Sequence, residues 1–248
     1  MTTFRNTVFV AVLAGLFAGL AMAALQHFTT VPLILQAEVF ENASEAAPAA
    51  QGQATAHEHA PGVAAHEHDA EAWAPSEGFE RTAYSAGANI VTAIGFALLL
   101  IVASEFAGGL AGWRQGVLWG LAGFGVFTLA PGLGLPPELP AMPAADLGAR
   151  QMWWVATAAA TAAGLGLIAF RGTVAWSLIG VALIVAPHIV GAPQPADYAS
   201  PIPEGLHHNF VVATTVSNLL FWVILGGLSG LLRSRWLGEG LGASGRLA

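Results

Sequence analysis

The sequence contains no cysteine and no lysine. Without thiols it can build no disulfide framework, no thiolate zinc or iron–sulfur site and no cysteine nucleophile. Without lysine there is no GxxxxGK(S/T) phosphate loop, so any ATP-driven step needs a separate partner. Charge is scarce: 8 basic residues, all arginine, and 15 acidic ones make up 9% of 248 residues, where soluble domains carry about 25%. A net charge of −7 without a basic face excludes a nucleic-acid binder. No HExxH helix, GxSxG elbow or nucleophile–base pairing is present, so no enzyme is expected. What the chain does contain is apolar: 55% hydrophobic residues, with 30 glycines besides. Such a chain cannot cover itself with polar surface, which leaves a polytopic membrane protein.

A bilayer core about 30 Å thick needs about 20 apolar residues of helix. Six runs qualify: 7–25, 84–103, 115–130 (closed by Pro131), 152–170, 173–190 and 209–232. Only Arg171-Gly172 separates the fourth from the fifth, so these two form a tight antiparallel hairpin. The expected fold is an all-α, polytopic integral membrane bundle of about six transmembrane helices. It has five if the first run is a cleaved signal, with Arg5 as its basic flank and Ala21-Met22-Ala23 as the cleavage motif. Helix-compatible sequence continues beyond the first run through Val39, which favours a retained span. The organisation read from the sequence is a first helix and its extension at 1–40, a loop at 41–82, the bundle at 83–232 and a tail at 233–248.

Orientation follows from the arginines, which collect on the cytoplasmic side. With the N-terminus inside, Arg5, Arg114, Arg171, Arg233, Arg235 and Arg246 are cytoplasmic, and only Arg81 and Arg150 are outside. Both termini are then cytoplasmic, and the expected location is a bacterial inner membrane. Gly15 with Gly19, the series Gly112, Gly116 and Gly120, and Gly226 with Gly230 have the four-residue spacing that lets helices approach closely in lipid. Glycine is abundant enough for chance pairs, so they carry no meaning beyond packing.

In this topology all eight histidines face the extracytoplasmic side or its boundary, as do all acidic residues but Glu105 and Glu239. The first loop is rich in Ala, Glu, His, Gln, Gly and Pro and is expected to be disordered. It carries a duplication, Ala56-His57-Glu58-His59 and Ala65-His66-Glu67-His68-Asp69. In an extended chain residues i and i+2 point the same way, so each His-x-His offers two imidazoles to one ion. Imidazole suits zinc, nickel, copper and cobalt, and a carboxylate can complete the shell. The plain alternative is a solvated acidic linker. A flexible site with few ligands binds weakly and exchanges fast, which suits capture better than storage.

His27 follows the first run, His188 ends the fifth, and His207 and His208 open the sixth. Converging helices would make them a ring at the outer mouth; separately, each is an interfacial histidine bonded to backbone or water. Deeper polar groups are few: Asn89 in the second run, Thr214, Thr215, Ser217 and Asn218 in the sixth, and Glu105 at the inner end of the second. Intramembrane polar residues either line a pathway or bond neighbouring helices; Asn218, Glu105 and the loop residue Glu138 are the pathway candidates. Glu138 is either a ligand at the mouth or a solvated loop acid. Trp153 and Trp154 are expected as interfacial anchors, and Arg150 as a headgroup anchor.

The stretch Ala130-Pro131-Gly132-Leu133-Gly134-Leu135-Pro136-Pro137-Glu138-Leu139-Pro140, then Arg150-Gln151, Trp153-Trp154, Pro187-His188 and Gly191-Ala192-Pro193, resembles the CbtA family. The first run, with its continuation to about Glu38, is similar too. The resemblance implies the membrane subunit of a cobalt transporter, importing cobalt for cobalamin synthesis beside a small single-span, histidine-rich partner, CbtB. Such families are described with five spans, against six counted here. Cobalt rests on the resemblance alone, because nitrogen and oxygen ligands bind nickel and copper more tightly.

The expected function is divalent metal uptake. His57, His59, His66 and His68 capture the ion and pass it to a site including His188 and His207 or His208, with His27 nearby. No resident cofactor is expected; the bound or carried ion is cobalt, with nickel an alternative. Two other readings are a metal-buffering or sensing membrane protein that transports nothing, and a haem-binding electron-transfer protein with two boundary histidines as axial ligands.

Overall fold

The computed structural model describes residues 2–46, 75–76 and 78–236. His57, His59, His66 and His68, the duplicated segment that carries them and the distal tail lie outside the described residues.

Among the described residues there is no strand. The helices are α1 (Thr2–Phe28), α2 (Val31–Ala46), α3 (Phe79–Glu105), α4 (Trp113–Phe124), α5 (Ala130–Gly134), α6 (Leu147–Arg171), α7 (Val174–Val190) and α8 (Glu204–Trp236). A π-helical turn, Gly125–Leu129, joins α4 to α5. Five stretches are long and apolar enough to cross a membrane: Phe4–Phe28, Phe79–Glu105, Trp113–Gly134, Leu147–Arg171 and Glu204–Trp236. All six apolar runs of the sequence are helical. The fifth, α7, has 17 residues, about 25 Å at 1.5 Å per residue, slightly less than the bilayer core. Its hairpin with α6 turns on Gly172, whose φ of 61° suits glycine. Large apolar side chains such as Phe9, Phe17, Leu99, Leu118 and Leu178 face outward, as a lipid-embedded bundle requires. The chain is a polytopic helical membrane protein.

Glycine seams hold the bundle together. Gly15 and Gly19 of α1 lie on the backbone of Ile94 and Ile90 of α3, and the reversed order makes the pair antiparallel. Gly116 and Gly120 of α4 meet Gly226, Gly230 and the Trp222 carbonyl of α8, again antiparallel. A methyl group at Gly116 would overlap the Gly226 carbonyl oxygen, and one at Gly226 would overlap that of Gly116. The glycine pairs read from the sequence are therefore the contact lines themselves. A further pair, Gly164 of α6 on Gly180 of α7, was hidden by the general abundance of glycine.

Side chains fill the space beside these seams. Val10, Ala14 and Ala18 of α1, Ala97 and Ile101 of α3, and Leu225 of α8 form the buried core. Trp222 of α8 is at its centre, 2% exposed, stacked on Phe127 at 5.7 Å and tilted against Phe96 at 4.9 Å. Gly123 makes room for the indole, and Trp222 Nε1 donates to Thr128 Oγ1 at 3.3 Å. Thr128 and Phe127 both belong to the π-turn, which aims them at the indole.

Three expectations change. Pro131 does not stop the third span: helix continues through it to Gly134. Proline has no N–H and crowds the preceding turn, and the π-turn immediately before it gives the backbone another register, with Ala130 N–H bonded to Gly125 O. The extension of the first span is a separate helix, since a break at Thr29-Thr30 precedes α2, with Pro32 in its first turn. The segment expected to be disordered at 41–82 is helical at both ends, where α2 runs to Ala46 and α3 begins at Phe79. An ion pair between Glu38 of α2 and Arg81 of α3 ties these ends together.

Gly226→Val is expected to lower the thermal midpoint of the purified protein, because overpacking a close contact costs about 1–3 kcal/mol. Gly95→Ala, where a methyl meets nothing within 4 Å, should leave the midpoint unchanged or raise it. Equal midpoints for the two variants would contradict the seam.

Candidate functional site

Contacts along the helices sort their termini into two ends. At one, Asn89 Nδ2 of α3 donates to Gln26 Oε1 of α1 at 2.6 Å, and Thr29 and Ser217 share a hydrogen bond of 3.2 Å. Trp153 of α6 reaches Pro187 of α7, and His207 of α8 reaches Pro137 after α5. At the other, Phe9 of α1 stacks on Trp236 of α8 at 4.8 Å, and Arg233 of α8 binds Glu105 of α3. His27, His188, His207 and His208 therefore share one end, and Arg5, Arg114, Arg171, Arg233 and Arg235 share the other. The two arginines at the histidine end are both in ion pairs, Arg81 with Glu38 and Arg150 with Glu138 at 2.9 Å. A small second core caps this end, where Ala37 of α2 packs with Leu139, Ile202 and Phe210.

The four boundary histidines share an end but not a site. Among the described residues, no three His, Asp or Glu side chains are grouped to hold a metal ion. Each histidine has a local setting instead. His207 Nε2 lies 3.2 Å from the Pro137 carbonyl, an acceptor only, so Nε2 carries the proton and Nδ1 remains for another partner. His188 stands edge-on to Trp153 at 5.7 Å. His208 is exposed. His27, also exposed, sits edge-on to Phe28 at 5.0 Å and at the rim of a cavity.

The acidic and polar candidates are also placed. Glu138 is a partner of Arg150, so that arginine holds a loop rather than a lipid headgroup. Glu105 receives Arg233 Nε at 2.7 Å and its terminal nitrogen at 2.9 Å, while Arg233 also donates to the Leu110 carbonyl at 2.8 Å. This arginine latches α8 to α3 and to the α3–α4 turn. Asn218 donates to the Thr214 carbonyl one turn back, at 2.9 Å. Trp153 is not an interfacial anchor: it is 9% exposed, lies against Gly134, and donates through Nε1 to the Pro187 carbonyl at 3.2 Å. Trp154 is half-buried, with its ring 6.1 Å from Phe127. The two indoles adjoin in sequence, but a helix turns successive side chains by about 100°, and both inward directions are occupied.

Two cavities among the described residues adjoin these groups. One of about 400 Å³ opens between α3, α4 and α6 and is lined by apolar side chains apart from Gln115. The other, of about 450 Å³, lies at the histidine end between α1, α2, α3 and α8. Its polar lining includes Gln26, His27, Thr30, Arg81, Asn89 and Thr214. Gln26 was not singled out in the sequence. The available signal was a second carboxamide, in the last turn of α1, at the depth of Asn89 in the antiparallel neighbour.

Glu105→Gln and Arg233→Gln are each expected to lower stability by a few tenths to about 1 kcal/mol, the range for a partly exposed pair. The double variant should be little worse than Arg233→Gln alone, which already removes the Glu105 pair together with the bond to Leu110. Strictly additive losses would dissolve the latch.

The family model for CbtA, described as a probable cobalt transporter subunit, matches residues 4–234. No curated protein and no solved structure matches the chain. The matched stretch runs from the first turns of α1 almost to the end of α8, so it covers both ends of the bundle and every helix of the seams. The chain therefore belongs to the CbtA family of probable cobalt transporter subunits.

Proposed function

We propose that the chain is the membrane-spanning subunit through which divalent cobalt enters a bacterial cell to supply cobalamin synthesis. One observation carries the direction, while the metal rests on the family: the four described histidines lie at one end of the bundle, and five arginines lie at the other. Arginine marks the cytoplasmic face, so the histidine end looks outward, the termini are cytoplasmic and the membrane is the inner one. The paired state of Arg81 and Arg150 strengthens the asymmetry, because their charges are matched by Glu38 and Glu138.

Transport starts with capture. His57, His59, His66 and His68 lie in the segment that leaves the bundle at its histidine end, and each His-x-His pair supplies two imidazoles. His188, His207 and His208 then act singly as waypoints on the outer face. A chain of weak sites suits transfer better than storage, because an ion must leave each site as readily as it binds. Asn218, Glu105 and Glu138 have structural partners, so the pathway does not depend on them as ligands. A subunit has a partner by definition. A small histidine-bearing single-span protein of the CbtB kind is the partner this reading proposes.

With His57, His59, His66 and His68 all changed to alanine, cobalt uptake by cells should fall several-fold at limiting metal and recover at saturating metal. Unchanged uptake at limiting metal would remove the capture step. A reporter fused after residue 60 should report the outside of the membrane and one fused after residue 240 the cytoplasm; residue 60 in the cytoplasm would overturn the direction of travel.

A further inference from the structure

We propose that the apolar cavity between α3, α4 and α6 holds one acyl chain of an anionic phospholipid, whose phosphate sits at the cavity mouth with Arg114 and Arg171. Such a site goes beyond metal uptake and does not depend on it.

The cavity has a volume of about 400 Å³ and is lined by aliphatic and aromatic side chains, with Gln115 at its mouth. Water finds no partners in such a space, and an empty void forfeits the packing contacts of its walls. Its length points to one chain from one leaflet. The wall follows the third span from Gln115, in the first turn of α4, to Phe127 in the π-turn. At 1.5 Å per residue that is about 18 Å, close to half of a bilayer core about 30 Å thick. A transmembrane helix about 10 Å across would need about 1,400 Å³ over that length, which the cavity does not offer. An acyl chain is thin enough to enter.

The mouth lies at the arginine end. Ala103, Gln115 and Phe170 line it from the last turn of α3, the first turn of α4 and the last turn of α6. The Trp119 and Phe170 rings, 6.4 Å apart, join α4 to α6 there. Arg114 directly precedes Gln115, and Arg171 directly follows Phe170, so each of these two helices brings one guanidinium to the opening. Both arginines are exposed. They lie over the half-exposed indoles of Trp113 and Trp176, at 5.5 and 5.6 Å from the ring centroids. Indoles of this kind mark the headgroup level.

The polar groups at the mouth are donors. Gln115 Oε1 accepts from the Ala111 N–H at 2.7 Å, which leaves its amino group to donate. The first turn of α4 holds no acidic residue, and its cap is a glycine, so N–H groups of that turn also lack a side-chain partner. Among the described residues no carboxylate pairs with Arg114 or Arg171. Glu105, the described acid at this end, already holds Arg233 through both oxygens. Two unneutralised arginines beside an apolar slot of one-leaflet depth match a phosphate joined to an acyl chain, and basic pockets between membrane helices take such headgroups.

Native mass spectrometry of the full chain in detergent, with added dioleoyl phosphatidylglycerol or dioleoyl phosphatidylcholine, tests the site. One phosphatidylglycerol should be retained about tenfold more strongly than phosphatidylcholine. Arg114→Gln with Arg171→Gln should abolish that preference, and two exposed positions do not threaten the fold. Gly166→Leu puts a side chain into the cavity from a position where a Cβ meets nothing within 4 Å, and it should weaken phosphatidylglycerol retention several-fold. Equal retention of the two lipids, a preference that survives loss of both arginines, or retention indifferent to Gly166→Leu overturns the proposal. A dimer of the chain that Gly166→Leu dissociates would assign this face to a second copy and overturn it as well.

Discussion

Between two helices in hydrocarbon, hiding a leucine from its surroundings gains almost nothing, because lipid tails are as apolar as the side chain. What does hold helices together there is contact close enough for backbone and small side chains to pack atom against atom. That constraint runs through this structure. Gly15 and Gly19 bring α1 onto α3, Gly116 and Gly120 bring α4 onto Gly226 and Gly230 of α8, and Gly164 meets Gly180 between α6 and α7. With the backbones this close, Trp222 has one place to go, and Gly123, Phe127 and Thr128 shape it.

The same constraint decides where space is left. Close seams join α1 to α3 and α4 to α8, while the α6–α7 hairpin meets the rest chiefly through the π-turn and α5. The apolar cavity lies along that looser junction, beside α3 and α4. The second cavity lies where α2 folds back over the ends of α1, α3 and α8. The break at Thr29-Thr30 and the Glu38–Arg81 pair set that geometry, since they turn the chain out of the first span and tie it to the start of the second.

Charge divides the molecule along the membrane normal. At the histidine end each arginine is matched by a glutamate, and at the opposite end Arg114 and Arg171 lie over Trp113 and Trp176, 5.5 and 5.6 Å from the ring centroids. Arg233 is the exception at that end, where its bonds to Glu105 and Leu110 close α8 onto the α3–α4 turn. The described histidines and the glutamate-matched arginines thus lie at one end of the bundle, and Arg114 and Arg171 at the other.

Much of this was legible in the residues alone. Apolar run length set the helices, because a backbone in hydrocarbon must bond to itself. The two-residue link at Arg171-Gly172 set the hairpin, and arginine placement set the two ends. The four-residue glycine spacings marked the seams, though not which seam meets which. Only the tertiary structure decided partners: that Trp153 turns inward to Pro187, that Arg150 answers Glu138 and Arg233 answers Glu105, and that the boundary histidines share an end without sharing a site. It also joined Gln26, Asn89 and Thr214, from three separate helices, around one cavity. The physical reason is that run length and composition are local properties of a chain, whereas rotation of each helix about its axis is settled only when neighbouring surfaces interlock.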